Sequence, residues 1–284
     1  MTANGLAKLC GLILLASSIM FVGCGPNMFL SERDTDIKDA TQALETARDD
    51  AQRAKAYSSR GAAYSEKARF SRISKLIPNE EYERLFDLAI KDHNQAVALN
   101  PGDAEVYFNR AQANYDRGFL DGVENTSRPV PAPDAGKTWF DAAAVDFEQA
   151  IAKDPKNSHA LDMLGLTYEQ NGQDDKAIQA YTQELAFDPF AKQRLADAYC
   201  GIGFRHTQKK EYPAAKAAFL KSIEWGEADD HSCPYDPAVS LVGFYTTDRE
   251  YDKAWEMLHQ VQKAKRWIAP EVVDRLKKDS GRAN

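Results

Sequence analysis

Cys200, His206, His231 and Cys233 form the densest set of metal-capable side chains in the sequence. Thiolates and imidazoles are what a structural zinc takes up, but such ligands come in closely spaced pairs, and these do not. Cys200 and His206 stand six apart, which on a helix turns them roughly 120° from a shared face. Metal ligation is therefore not expected. The other histidines, His93, His159 and His259, lie scattered, and no two carboxylates are set apart from their neighbours as an acid and base would be. HExxH, GxSxG, GxxxxGK(S/T) and GxGxxG are all absent. Chemistry at a zinc, a nucleophile elbow or a phosphate cradle thus has no sequence support, and the expectation is a non-enzymatic chain without a cofactor.

The 284 residues carry 36 Lys and Arg against 43 Asp and Glu, a formal charge of -7. Length alone suggests about two domains. A hydrophobic fraction of 43% is too high for a disordered chain. An acidic surface argues against nucleic acid, because phosphate binding wants concentrated positive charge.

The N-terminus has its own chemistry. Lys8 precedes an apolar stretch from Leu9 to Val22, 14 residues long. That is short of the roughly 20 a membrane-crossing helix needs, and the pattern is that of a secretory signal. The run Phe21-Val22-Gly23-Cys24-Gly25 resembles the bacterial lipobox, with Phe21 where Leu is usual. The resemblance implies cleavage after residue 23, acylation of Cys24, and, with Gly25 rather than Asp following, a place on the periplasmic face of the outer membrane. An ordinary secretion signal followed by a coincidental cysteine is the alternative.

Beyond the leader the sequence repeats itself. Leu161, Leu164, Gly165, Tyr168, Ala177, Tyr181 and Pro189 fall at the offsets of a helical hairpin. Small residues allow two helices to approach, large ones fill the seam, and proline ends the second helix. The small residue of the first helix recurs at Gly61, Ala111, Gly165, Gly203 and Gly243, and the alanine of the second at Ala89, Ala143, Ala177, Ala215 and Ala254. Four residues on stand His93, Phe147, Tyr181, Phe219 and Leu258, on the same helix face. The pattern resembles the tetratricopeptide repeat (TPR), whose period is about 34 residues. Intervals of 50, 54, 38 and 40 then mark insertions.

The expected fold is all-α: a right-handed TPR superhelical solenoid of about five hairpins, with capping helices at both ends. It divides as a signal peptide (1–23), a lipid-anchored tether with an N-terminal helix (24–56), five units (57–101, 104–155, 158–189, 196–227 and 236–262), and a C-terminal cap and tail (263–284). Ile37, Ala40, Leu44, Ala47, Ala51 and Ala54 keep helical spacing and predict one helix through the tether. The insertion between Ser65 and Glu80 extends a first helix until Pro78 breaks it. Phe119 to Lys137, with alternating prolines, reads as a loop inside unit two. Val272, Val273 and Leu276 share a face of the last helix.

In the resembled family ligands lie along the first helices, at positions 2, 5, 9, 12 and 13. Transferred here, unit one contributes Lys55, Ser58, Ala62, Ser65 and Glu66. Unit two contributes Glu105, Phe108, Gln112, Tyr115 and Asp116; unit three contributes Asp162, Leu166 and Glu169 among others. Units four and five add Asp197, Phe204, Phe244 and Asp248. Across all five units seven carboxylates face one lysine. Such a groove prefers a protein or peptide client of basic and apolar character. Phe108, Tyr115, Phe204 and Phe244 read either as anchors for that client or as packing between repeats. If neighbouring first helices pack side by side, Cys200 and Cys233 come within disulfide range; two unpaired thiols are the alternative. The resemblance implies a lipid-anchored scaffold or adaptor. Pilotin, secretion, pilus or outer-membrane assembly lipoproteins share the layout, and a cell-wall-active enzyme or enzyme subunit is the remote alternative.

Overall fold

A computed structural model describes residues 26–74, 78–121, 136–226 and 236–282. The lipobox with Cys24, the segment around His231 and Cys233, and the proline-rich insertion lie outside them. The described residues contain twelve helices and no strand. The chain divides into two compact units, Met1–Asp154 and Pro155–Asn284, so the boundary falls between repeats two and three.

The first unit holds α1 (Pro26–Thr46), α2 (Asp50–Ile73), α3 (Asn79–Leu99), α4 (Ala104–Asp121) and α5 (Lys137–Lys153). The tether is not one helix. Asp49 breaks it, its carboxylate accepting from the Gln52 amide at 2.7 Å to start α2. α1 folds back on α2 through the Phe29 and Phe70 rings, 4.3 Å apart, and the Lys67–Asp34 pair at 2.6 Å. α2 and α3 make repeat one, α4 and α5 repeat two, and α4 packs on both helices before it.

The first insertion lengthens α2, as its helix-forming residues predict, but it does more. Ala68 from the added turns joins Tyr82, Leu85 and Phe86 of α3 and Leu120 of α4 in a separate small core. The second insertion starts and ends at one point. Gly136 has φ +78°, and a Cβ there would overlap the Gly118 carbonyl.

The second unit holds α6 (Ser158–Gln170), α7 (Asp174–Glu184), α8 (Ala191–Gln208), α9 (Tyr212–Trp225), α10 (Pro237–Thr247), α11 (Tyr251–Lys263) and α12 (Pro270–Ser280). α6/α7, α8/α9 and α10/α11 are repeats three to five. Asn157 caps α6 through the Ala160 amide at 3.0 Å, and Asp236 caps α10 through the Ala238 amide at 2.8 Å, just ahead of Pro237. α12 covers the last hairpin as expected. Leu276 is fully buried, Val272 and Val273 pack on the same core, and Trp255 Nε1 donates to Ser280 Oγ at 3.2 Å.

The seams agree with the repeat frame in units one, three and four and correct it in unit five. Behind Gly165 lies the Tyr181 ring, behind Gly203 the Phe219 ring, behind Gly61 the His93 ring; a Cβ at Gly61 would stand 2.8 Å from His93. Nothing lies within 4 Å of a Cβ built at Gly243. The seam residue of repeat five is Val242, fully buried with Leu258. Turn geometry agrees: Gly172 and Lys210, seven residues after Gly165 and Gly203, have positive φ, and so does Arg249, seven after Val242.

One feature of repeats one and two was not read from the sequence. Arg60 makes a bidentate pair with Asp92 (2.6 and 2.9 Å), and Arg110 makes the same pair with Asp146 (2.7 and 2.7 Å). Each arginine directly precedes the small seam residue and each aspartate the ring opposite it. The same two places hold Leu164 and Ala180 in repeat three and Ile202 and Ala218 in repeat four.

Candidate functional site

The positions expected to face a ligand lie on the same helices, and the structure sorts them. In repeat one only Lys55 is exposed; Ser58 and Ser65 are buried, and Ala62 and Glu66 are half-buried. α1 lies along them, leaving a groove of about 670 Å³ lined by Lys55, Ala62 and Glu66 from α2 and by Arg33, Asp36 and Asp39 from α1. Arg33 pairs with Glu66. Ser58 is buried and accepts from Asn109 Nδ2 of α4 at 2.9 Å, so it ties repeat one to repeat two.

In repeat two Glu105 is exposed near the start of α4. Phe108 is half-buried and meets Phe147 edge-on at 5.6 Å, which makes it packing within the hairpin. Tyr115 stacks on Phe119 at 6.4 Å and tilts against Phe140 at 5.7 Å. Gln112 donates to Asp116 at 3.0 Å. Burial, reinforced by the nearby Glu66 charge, pushes the Asp116 carboxyl up to about 6, although Arg69 and the Gln112 bond pull the other way.

In the second unit Asp162 holds Arg194 of α8, Nε to Oδ1 at 2.6 Å and Nη2 to Oδ2 at 2.9 Å. Leu166 and Phe204 are half-buried. Burial pushes Glu169 up to about 7; Arg205 and Arg194 oppose the rise, while Asp174 and Asp197 add to it. Asp197 accepts from Gln193 at 3.0 Å. Phe244 stands one place beyond ligand position 9 in the corrected frame. It stacks on Phe219 at 6.1 Å and tilts against Tyr212 at 5.8 Å, as part of the repeat core.

The carboxylates therefore come with cations that the ligand positions alone do not include. Arg33, Arg69, Arg194 and Arg205 all reach them. The seven-to-one tally overstated the negative charge because helix faces have neighbours from the next helix as well as their own. Glu184 was also missed. Three residues after Tyr181, it occupies a place filled by Ala96, Ala150, Ser222 and Val261 in the other repeats; all five are buried. The repeat frame itself carried that signal.

Cys200 is fully buried and disulfide-bonded; Cys233 lies outside the described residues. His206 Nδ1 stands 2.6 Å from Glu211 Oε2. Among the described residues no cluster of three or more His, Cys, Asp or Glu could hold a metal ion, and no helix is long and apolar enough to cross a membrane.

Comparison with known proteins agrees with the hairpins. A tetratricopeptide-repeat family model matches residues 147–179, covering all of α6 with parts of α5 and α7. Residues 147–179 thus match one tetratricopeptide repeat. Among solved structures it is similar to MamA (22% identity over 69% of this chain and 89% of that one, TM-score 0.44). It is also similar to YrrB, described as a TPR protein with an unusual peptide-binding site (16% identity, 86% and 94%, TM-score 0.42). PilF of Pseudomonas aeruginosa is a third (15% identity, 83% and 93%, TM-score 0.36). Likenesses of this size carry no functional argument. No curated protein matches the sequence.

Proposed function

We propose that the chain is a non-enzymatic adaptor of a bacterial envelope, held to a membrane by acyl groups on Cys24 and presenting its first-helix faces to a protein client. One acyl chain binds a membrane marginally and two or three hold it firmly, so multiple acylation at Cys24 would give a stable anchor. Tethering raises the local concentration of whatever the helices select.

The observation that supports client binding is the contrast across the first helices of repeats two and three. The seam residues are wholly buried, whereas Glu105, Gln112, Leu166 and Glu169 remain at least partly open to solvent at ligand positions. A face that mixes carboxylate, amide and apolar groups suits a segment with basic and apolar side chains.

The test is crosslinking of the full chain in membranes, with Glu105→Lys plus Leu166→Lys as the altered form. These positions avoid the Phe108 and Phe244 packing. Loss of the crosslinked client with unchanged helical circular dichroism is the expected result; undiminished crosslinking would move the client to another surface. Palmitate labelling tests the anchor separately. Label that persists in Cys24→Ser would refute acylation at that residue.

A further inference from the structure

Glu184 breaks the rule of its own position. Where the other repeats place Ala96, Ala150, Ser222 and Val261, repeat three buries a carboxylate that is 4% exposed. Its Oε2 has no hydrogen-bond partner. An ionisable group kept in such a place, at a cost its neighbours avoid, marks a position held for something other than packing. The charged groups facing it come from each element around α7: Asp162 on α6, Asp188 in the turn that follows, and Arg194 on α8. Asp162 and Arg194 are themselves the ion pair, hydrogen-bonded from Nη2 to Oδ2, that ties the first helix of repeat three to the first helix of repeat four.

We propose that Glu184 is a protonation switch on the Asp162–Arg194 clasp. Neutral, Glu184 leaves the guanidinium to Asp162, and the two first helices are held at the spacing described above. Ionised, it is a second carboxylate competing for one arginine, so Arg194 is drawn toward the interior and Asp162 loses its partner. The uncharged state is favoured well above the ordinary carboxylate range. Burial first, then the Asp162 and Asp188 charges, push Glu184 up to about 7, against the pull of Arg194. The switch therefore works near neutrality, where few side chains change charge. Because Asp162 stands at a ligand position, releasing it makes that stretch of helix more attractive to a basic group as pH rises. This last consequence rests on reading the first helices as the client face; the switch itself does not.

The experiment follows the Arg194 Nε–H resonance in the full chain, labelled with nitrogen-15 and assigned through Arg194→Lys, from roughly pH 5 to 9. The expected result is a titration with its midpoint near 7 whose amplitude falls in Glu184→Gln and in Glu184→Ala, the remainder belonging to Glu169, which titrates near 7 and also interacts with Arg194. The alanine form reproduces Ala96 and Ala150 at the equivalent place, so it is expected to fold. A resonance that stays flat in the unaltered chain, or one that titrates unchanged in both variants, overturns the switch. Binding of an oligolysine peptide at pH 6 and pH 8 then addresses the client face alone. A several-fold gain in affinity with pH, measured in a Glu169→Gln background and lost when Glu184→Gln is added, is expected. A titrating Arg194 without that gain would discard the client face and leave the switch standing.

Discussion

A tyrosine ring against a glycine decides whether two helices meet, and that contact was readable before any coordinates. Gly165 and Tyr181, Gly203 and Phe219 recur at one interval, and each pair is in contact. Repeat five was misread for a physical reason. Gly243 stands beside the true seam residue, Val242, and a search for small side chains chooses glycine; the left-handed Arg249 that fixes the register cannot be recognised from an arginine. Gly165→Ala is expected to destabilise the chain by about 1–3 kcal/mol in urea unfolding, since the rigid ring behind it cannot move aside. Gly243→Ala should be neutral or stabilising by up to about 1 kcal/mol, because its Cβ enters open space and alanine is the better helix former. Equal losses for both substitutions would contradict the revised register. His93 is a second case. Fully buried and facing Gly61, it is held down to about 4 by burial and the Arg110 charge. A base that is harder to protonate folded than unfolded supports the fold above its ordinary value of 6.5 and loses that support as pH falls toward 4. The loss is on the order of 3 kcal/mol. His93→Phe, which copies Phe147 and Phe219, is expected to abolish this acid-side decline in a pH series of unfolding midpoints.

Between helices, repeats one and two differ in kind from those that follow. Their seams are clamped by Arg60–Asp92 and Arg110–Asp146, while repeats three and four close the same two places with aliphatic side chains. The hairpins were legible because apolar spacing survives insertions. The ion pairs were not, since charge at those places breaks the apolar pattern and looks like surface until the facing helix is known. Removing one member of a buried pair strands the other, at a typical cost of about 3–5 kcal/mol, whereas replacing both with apolar residues of similar volume costs little. Asp92→Ala alone is therefore expected to destabilise by about 3 kcal/mol, and Arg60→Leu plus Asp92→Ala, which imitates Leu164 and Ala180, by clearly less. Chemical denaturation of the three forms decides it, and a double variant weaker than the single one would refute this account of the clamp. At the far end, Leu276→Ala should cost about 2–5 kcal/mol by opening a cavity under α12.

Taken whole, the chain carries opposing pH dependences, from His93 on the acid side and, in both compact units, from raised carboxyls on the alkaline side. Glu169 and Glu184 in the second are raised to about 7. A carboxyl that is easier to protonate folded than unfolded lends stability below its ordinary value of 4.5 and gives it up as pH climbs through 7. Glu184→Gln is expected to lessen that alkaline decline, Glu169 keeping the rest, and to leave the acid side, governed by His93, as it was. Reduction offers an independent lever. With Cys200 disulfide-bonded, breaking the bond should lower stability by roughly 3–4 kcal/mol if Cys233 closes the loop, a pairing that peptide mapping of the non-reduced chain can identify. The contact between Gly118 and Gly136 has a practical corollary. Two backbone points already in touch make an exit and a return through one doorway, so the sequence after Asp121 and before Gly136 can be trimmed, lengthened or exchanged for a reporter, with Phe119 and Leu120 kept for the core, at an entropic charge that grows only with the logarithm of its length. Fluorescent or affinity inserts placed there should leave the flanking hairpin undisturbed, provided that both glycines stay.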